Sequence, residues 1–263
     1  MGVRNHRASL GGRSGQPSIY GESVYLENLV FDALEPQRLG RFWEAALGTQ
    51  QLTDTPECYE TRLRVPDGPD LDLCFQRVAE RPGDGLRLYL DLCGGREPAR
   101  VVDRLLSQGA SHLDIGQQNS PWVVLADPEG NPFRVMAPRP AYVDTGPIAA
   151  LPVDSSDPER DAGFWAWLTG WVAGTGEAAE TLRHPSRHGL LLQFGDEPGP
   201  KPHVKNRLHL DVRLEPSDDL ECVLKEVCDR GGQRLDPDWG DLPWRVCADP
   251  SGNEFCLLPA RLT

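Results

Sequence analysis

The sequence predicts an α+β protein built from two copies of one domain, four β-α-β-β-β units in all. Three observations carry this. Four separated motifs recur at nearly one spacing. Each copy holds two stretches of helical periodicity set among alternating strands. Each copy also closes on the same Asp-Pro-x-Gly-Asn turn.

The repeat comes first, because a missed repeat misreads the whole fold. Phe42-Trp43 in LGRFWEAALG matches Phe164-Trp165 in DAGFWAWLTG, 122 residues on. The stretch PWVVLADPEGNPF, from Pro121 to Phe133, matches PWRVCADPSGNEF, from Pro243 to Phe255, again at 122. Leu88-Tyr89-Leu90-Asp91-Leu92 matches Leu208-His209-Leu210-Asp211-Val212 at 120, and Gly109-Ala110 matches Gly231-Gly232 at 122. One match would be weak; four in order mark a duplication.

Each copy opens with a strand over residues 24–32 or 148–154. Pro36 or Pro158 then starts a helix, since the missing N–H costs nothing in a first turn. Leu39, Phe42, Trp43, Ala46 and Leu47 recur at helical spacing and form a buried stripe. Gly48 and Gly170 suit the stop. Further strands run through residues 71–76 or 190–194. The order then repeats. LRLYLDL, residues 86–92, alternates and reads as a strand. Val101, Val102, Leu105 and Leu106, or Leu220, Val223, Leu224 and Val227, mark a second amphipathic helix. The last two strands flank DPEGN or DPSGN, in which Pro presets φ and Gly admits φ > 0. The break falls near residues 138–145, giving domains over 22–141 and 142–263. Residues 1–21 carry Gly, Ser and Arg without periodicity and read as a disordered tail.

Composition narrows the partners. A net charge of -13 argues against a nucleic-acid partner. No apolar run approaches the roughly 20 residues of a membrane helix, and the N-terminus lacks the apolar core of a secretory signal. The seven cysteines are odd in number and include no CxxC pair, so a reducing cytoplasm is expected rather than a disulfide framework. The expected partner is a small molecule, met by a monomer or homodimer.

A strand, then D-x-x-x-P-x-x-x-x-x-F-W, then an L-x-L-D strand, then P-W-x-x-x-A-D-P-x-G-N-x-F resembles the glyoxalase-like branch of the vicinal-oxygen-chelate (glyoxalase/bleomycin resistance/dioxygenase) superfamily. The likeness covers nearly all of the chain except the tail. It implies paired βαβββ units whose sheets curl into a cup. Relatives use the cup for metal-dependent isomerisation, epimerisation, ring cleavage or thiol addition, or to sequester a drug. The resemblance leaves the function open.

It also implies four metal-ligand positions per cup, from the first and last strand of each unit. In the first copy they fall on Asn28, on Cys74 or Gln76, on Tyr89 and on Arg134. Asn, Tyr and Arg make no usual divalent site, and a guanidinium repels a cation. In the second copy they fall on Ala150, Gln193, His209 and Cys256, with Arg207 competing for the third. Glu254 shares the face of Cys256 by strand alternation. His209 and Glu254 thus keep a divalent metal possible in the second copy, while no cofactor is the expectation for the chain as a whole.

Plainer roles compete at every position. His209 can be a hydrogen-bonded cup residue, Cys256 core packing, and Glu254 an edge charge. Asp91 and Asp211 read as turn caps at strand ends. Trp122 and Trp244 read as structural residues at strand starts. The favoured expectation is a cup that binds an apolar or aromatic small molecule without the full metal set. The alternatives are a metal-dependent lyase, isomerase or ring-cleaving dioxygenase in the second cup, and a metal-free acid/base enzyme using Tyr89, Arg134 or His209.

Overall fold

The computed structural model describes residues 24–80, 83, 86–116, 120–237 and 242–261. The expected tail, 1–21, lies outside them. Four β-α-β-β-β units follow one another. Unit one is β1 (Tyr25–Ala33), α1 (Pro36–Leu47), β2 (Gln50–Asp54), β3 (Cys58–Leu63) and β4 (Leu71–Arg77). Unit two is β5 (Asp91–Cys93), α2 (Pro98–Gln108), β6 (Ser111–His112), β7 (Trp122–Ala126) and β8 (Pro132–Met136). Unit three is β9 (Ile148–Ser155), α3 (Pro158–Thr169), β10 (Val172–Ala173), β11 (Glu180–Arg183) and β12 (Leu191–Asp196). Unit four is β13 (Leu208–Arg213), α4 (Leu220–Asp229), β14 (Gln233–Leu235), β15 (Arg245–Ala248) and β16 (Glu254–Leu258). A short 3₁₀ turn, Pro140–Tyr142, joins units two and three.

The helices begin and end where local chemistry requires. Pro36, Pro98 and Pro158 open three of them. Asp157 and Asp219 cap α3 and α4 by accepting from the backbone N–H of Arg160 and Cys222. Gly48 and Gly170 end α1 and α3 at φ 70° and 69°, a left-handed conformation that glycine adopts without strain. No described helix is long and apolar enough to cross a membrane.

The strands form two eight-stranded mixed sheets, ordered β14-β15-β16-β13-β1-β4-β3-β2 and β10-β11-β12-β9-β5-β8-β7-β6. Within every unit the first strand runs parallel to the last, across the helical connection. Between units the first strands meet antiparallel: β1 on β13, with Leu29 facing Leu210, and β5 on β9. This corrects one expectation. A repeat does not close a cup by itself. Unit one shares its sheet with unit four, and unit two with unit three.

The expected strand over residues 86–92 also shortens, to β5 alone. Tyr89 N–H donates to Pro152 O at 2.9 Å, but Pro152 has no N–H to return the bond. Only the isolated bridge of Leu88 with Val153 continues the pairing.

One face of each sheet carries the helices. Leu29, Phe31, Tyr59, Leu73 and Phe75 from the first sheet join Phe133, Val135, Leu192 and Phe194 from the second in a continuous buried cluster. The recurring aromatics meet within it. Trp43 lies 5.0 Å from the Phe133 ring, and Trp165 lies 5.4 Å from that of Phe255. Each indole also donates an N–H to the aspartate of the Asp-Pro-x-Gly-Asn turn. Trp43 Nε1 reaches Asp127 and Trp165 Nε1 reaches Asp249, both at 3.2 Å. Asp127 and Asp249 are buried and accept further bonds from Asn131 and Asn253.

These bonds tie α1 to unit two and α3 to unit four, so each crosses from one sheet to the other. Trp43→Phe and Trp165→Phe keep most of the ring packing but leave a buried carboxylate one donor short. Each is expected to lower stability by about 1–3 kcal/mol, measured by urea denaturation. Exposed Trp-free positions such as Arg38→Ala should shift it by less than about 0.5 kcal/mol.

Candidate functional site

The face of the first sheet away from the helices carries an open cavity of about 740 Å³. Strand alternation sets its lining. Leu29, Phe31 and Ala33 turn to the helices, so Asn28, Val30 and Asp32 turn inward. Cys74 and Gln76 face in from β4, His209, Asp211 and Arg213 from β13, and Cys256 and Leu258 from β16. Val78, Trp244 and Pro259 add apolar wall.

Polar groups converge where the four central strands meet. The pairing brings Asn28 opposite Asp211, and Asp211 beside Cys256. Asn28 Nδ2 donates to Asp211 at 3.1 Å. His209 Nε2 stands 3.4 Å from the other Asp211 oxygen. The ligand atoms of His209, Asp211 and Cys256 all lie within 4.8 Å of one another. Asn28 Oδ1, His209 Nδ1 and Asp211 Oδ1 are buried and have no hydrogen-bond partner among the described residues. Unpaired buried polar atoms are costly, and three of them lie together on these neighbouring strands.

Burial disfavours charge on this floor. It pushes the Asp211 carboxyl up to about 7, against the Asn28 hydrogen bond. It drives the His209 imidazole well below its ordinary value, helped by the Lys205 ammonium. It also raises the Cys256 thiol, with the Asp211 charge adding to the effect. At the wall, Lys205 holds Asp32 at 2.6 Å, although burial still raises that carboxyl.

The second sheet differs. Its corresponding face carries Asp91, Arg134, Ala150, Leu191 and Gln193, but the connection between units two and three lies against it. Tyr142 and Ala141 pack with Met136, Ala150, Leu191 and Trp122 in a small closed cluster. Arg134 is committed to Asp91 through bonds of 2.5 and 2.7 Å and lies over the Trp122 ring at 5.4 Å. The Tyr89 hydroxyl donates to Leu86 O at 2.9 Å, and burial beside Asp154 pushes it up to about 12. Gln193 is buried, with its Nε2 unpartnered among the described residues.

Several expectations are therefore redistributed. Asn28 and Cys74 share a cup with His209 and Cys256; Tyr89 and Arg134 share the other with Ala150 and Gln193. The inward positions stand where strand alternation puts them, but the grouping by repeat is corrected, because the sheets pair across repeats. Glu254 is neither free nor part of the cluster: Lys201 Nζ holds it at 2.9 Å, and it accepts the Asn206 N–H. Asp91 and Asp211 are not turn caps but buried carboxylates on the cup faces, 1% and 7% exposed. Asp211 had a visible signal, since it lies two residues after His209 on the same strand face. Trp244 lines the cavity rather than serving the strand alone.

Comparison with known proteins agrees with this architecture. The profile of the glyoxalase-like domain matches residues 28–136 and 150–258. The chain belongs to the glyoxalase-like family, in tandem. Glyoxalase I from Zea mays superposes with a TM-score of 0.60 at 13% identity, covering 90% of this chain and 92% of that one. A mutant form of the same maize enzyme gives 0.61 at 14%, covering 90% and 94%. A proposed dioxygenase from Bacillus subtilis gives 0.56 at 14%, covering 92% and 86%. At these identities the likeness is one of fold. No curated protein sequence matches the chain.

Asp211 has a measurable pH signature. Its folded value of about 7 lies above the unfolded value of about 3.9. The folded chain therefore holds a proton that the unfolded chain has released, and stability from this group falls as pH rises from about 4 to about 7. Asp211→Asn keeps an acceptor for Asn28 and removes the titration. The variant should be more stable than the parent at about pH 8, by on the order of 1–3 kcal/mol, with the two converging near pH 4. Denaturation at both pH values checks the sign.

Proposed function

We propose that the cup of units one and four binds a small organic molecule with an apolar or aromatic body and a polar end. The observation that carries this reading is an open cavity of about 740 Å³ in which Asn28, His209 and Asp211 lie together among apolar walls. Val30, Val78, Trp244 and Leu258 would cover the body. Asn28, His209 and Asp211 would meet the polar end, with neutral His209 able to accept and Asp211 able to donate in its protonated form. The second cup, filled by Tyr142, serves as scaffold.

An apolar fluorescent probe, anilinonaphthalene sulfonate, tests this. It should bind at one site per chain, and Val30→Trp should weaken it by at least about tenfold, or 1.4 kcal/mol, by filling the cavity. Equal binding by Val30→Trp, with its fold intact by circular dichroism, would remove the cup as the site.

A second reading rests on the His209, Asp211 and Cys256 cluster. Nitrogen, carboxylate oxygen and sulfur donors suit a borderline divalent ion such as zinc in four-coordinate geometry, with Asn28 Oδ1 as a fourth donor. This is not the N/O octahedral set that the resemblance implies, and Lys205 opposes a cation nearby. Such an ion would supply a Lewis acid to an oxygen of the bound molecule. The chain's own residues would hold and orient that molecule, the walls excluding water. Because burial raises both the Asp211 carboxyl and the Cys256 thiol, zinc uptake should release protons and weaken as pH falls. Calorimetry of zinc addition in buffers of different ionisation enthalpy checks this; uptake unchanged in Cys256→Ser and Asp211→Asn would place the ion elsewhere.

A further inference from the structure

We infer that Cys58 and Cys74, the latter in the wall of this cup, form a redox-active dithiol, closed to a disulfide by a small-molecule disulfide oxidant. The two residues lie on the neighbouring antiparallel strands β3 and β4. Cys58 faces Gln76 and Cys74 faces Glu60, so the cysteines are diagonal neighbours on the same face of the sheet. Their sulfurs stand 3.4 Å apart, within reach of each other by a small shift. The inference rests on the thiol geometry and not on what the cup binds.

The two thiols are unequal in a way that suits exchange. Cys58 is half-buried at the start of β3, where a tight turn pins it: its N–H donates to Thr55 Oγ1 at 3.1 Å. Its contact with the Cys74 sulfur lowers its pKa, while the same contact, with burial, raises that of Cys74. Cys58, at the start of β3 beside the turn, is the sulfur an oxidant reaches first, and Cys74, within β4, resolves. Cys74 also lines the cavity, so the reaction alters the cup wall.

The chemistry balances. The Cys58 thiolate attacks one sulfur of the oxidant disulfide, forming a mixed disulfide and expelling one thiolate. Cys74 loses its proton and attacks the Cys58 sulfur, expelling the second thiolate. The protein gives up two electrons and two protons; the oxidant becomes two thiols. The sulfurs close from contact distance to a bond of roughly 2.05 Å, and a reductant returns both thiols.

The test is a peptide map of the full chain after incubation with oxidised glutathione, run without reductant. The expected result is a Cys58–Cys74 cross-linked peptide pair, two hydrogens lighter than the separate peptides and lost on adding reductant. Cys58→Ser and Cys74→Ser should each abolish it, and Cys228→Ser, on the exposed face of α4, should retain it. A map of the parent that shows glutathione on Cys58 with no link to Cys74, or modification only at exposed Cys222 and Cys228, would overturn the inference. The parent's map decides even if a serine variant does not fold.

Discussion

Two equivalent hydrogen bonds organise this molecule: the indole of Trp43 on Asp127, and that of Trp165 on Asp249. Each buries a carboxylate whose pKa is raised by desolvation, and Asp249 is pushed up to about 6 with Asp161 nearby. A buried carboxylate is tolerated only when its lone pairs are filled. Here the turn's own asparagine and backbone fill most of them, and a tryptophan from another unit supplies the remaining donor. The turn residue between Pro and Gly reinforces the tie. Glu129 accepts the N–H groups of Leu34 and Glu35 before α1, and Ser251 accepts that of Ser156 before α3. Each helix is thereby docked, by its start and by its indole, on a hairpin of the other sheet.

That docking explains why sequence repeat and structural cup are different divisions of the chain. Units one and two are joined through α1 and the hairpin, on the helix side of both sheets. Their free sheet edges then pair elsewhere: β5 with β9 and β1 with β13. A buried arginine completes the arrangement. Arg87, from the segment before β5, reaches Asn253 at 2.8 Å and Asp154 O at 3.0 Å, linking units two, three and four.

Much of this was legible in the residues. Pro36, Pro158, Gly48 and Gly170 mark helix ends by backbone chemistry, and alternation along β1 and β13 marks Asn28 and His209 as inward. The grouping of those positions was not legible. Inward-facing patterns are the same whichever unit completes the sheet, and strand pairing across 183 residues, as between Asn28 and Asp211, leaves no local trace. The plug in the second cup was also hidden. Ala141 and Tyr142 lie in a short stretch of proline and polar residues that reads as a plain connection. Asp211 was the residue most undervalued, because an aspartate near a strand end resembles a turn cap until burial is known. Sequence duplication has thus produced two faces of unlike character: one closed by aromatic packing and an Arg134–Asp91 ion pair, the other open over a buried polar floor.

Cross-repeat sheet formation underlies the site, since Asn28 and Asp211 meet only if β1 lies beside β13. Through-space nuclear Overhauser contacts between backbone protons of assigned, deuterated protein report that neighbour directly. Contacts of β1 around Leu29 with β13 around Leu210 are expected. Contacts of β1 with β5 in their place would mean that each repeat closes its own sheet, and the cup described above would not exist.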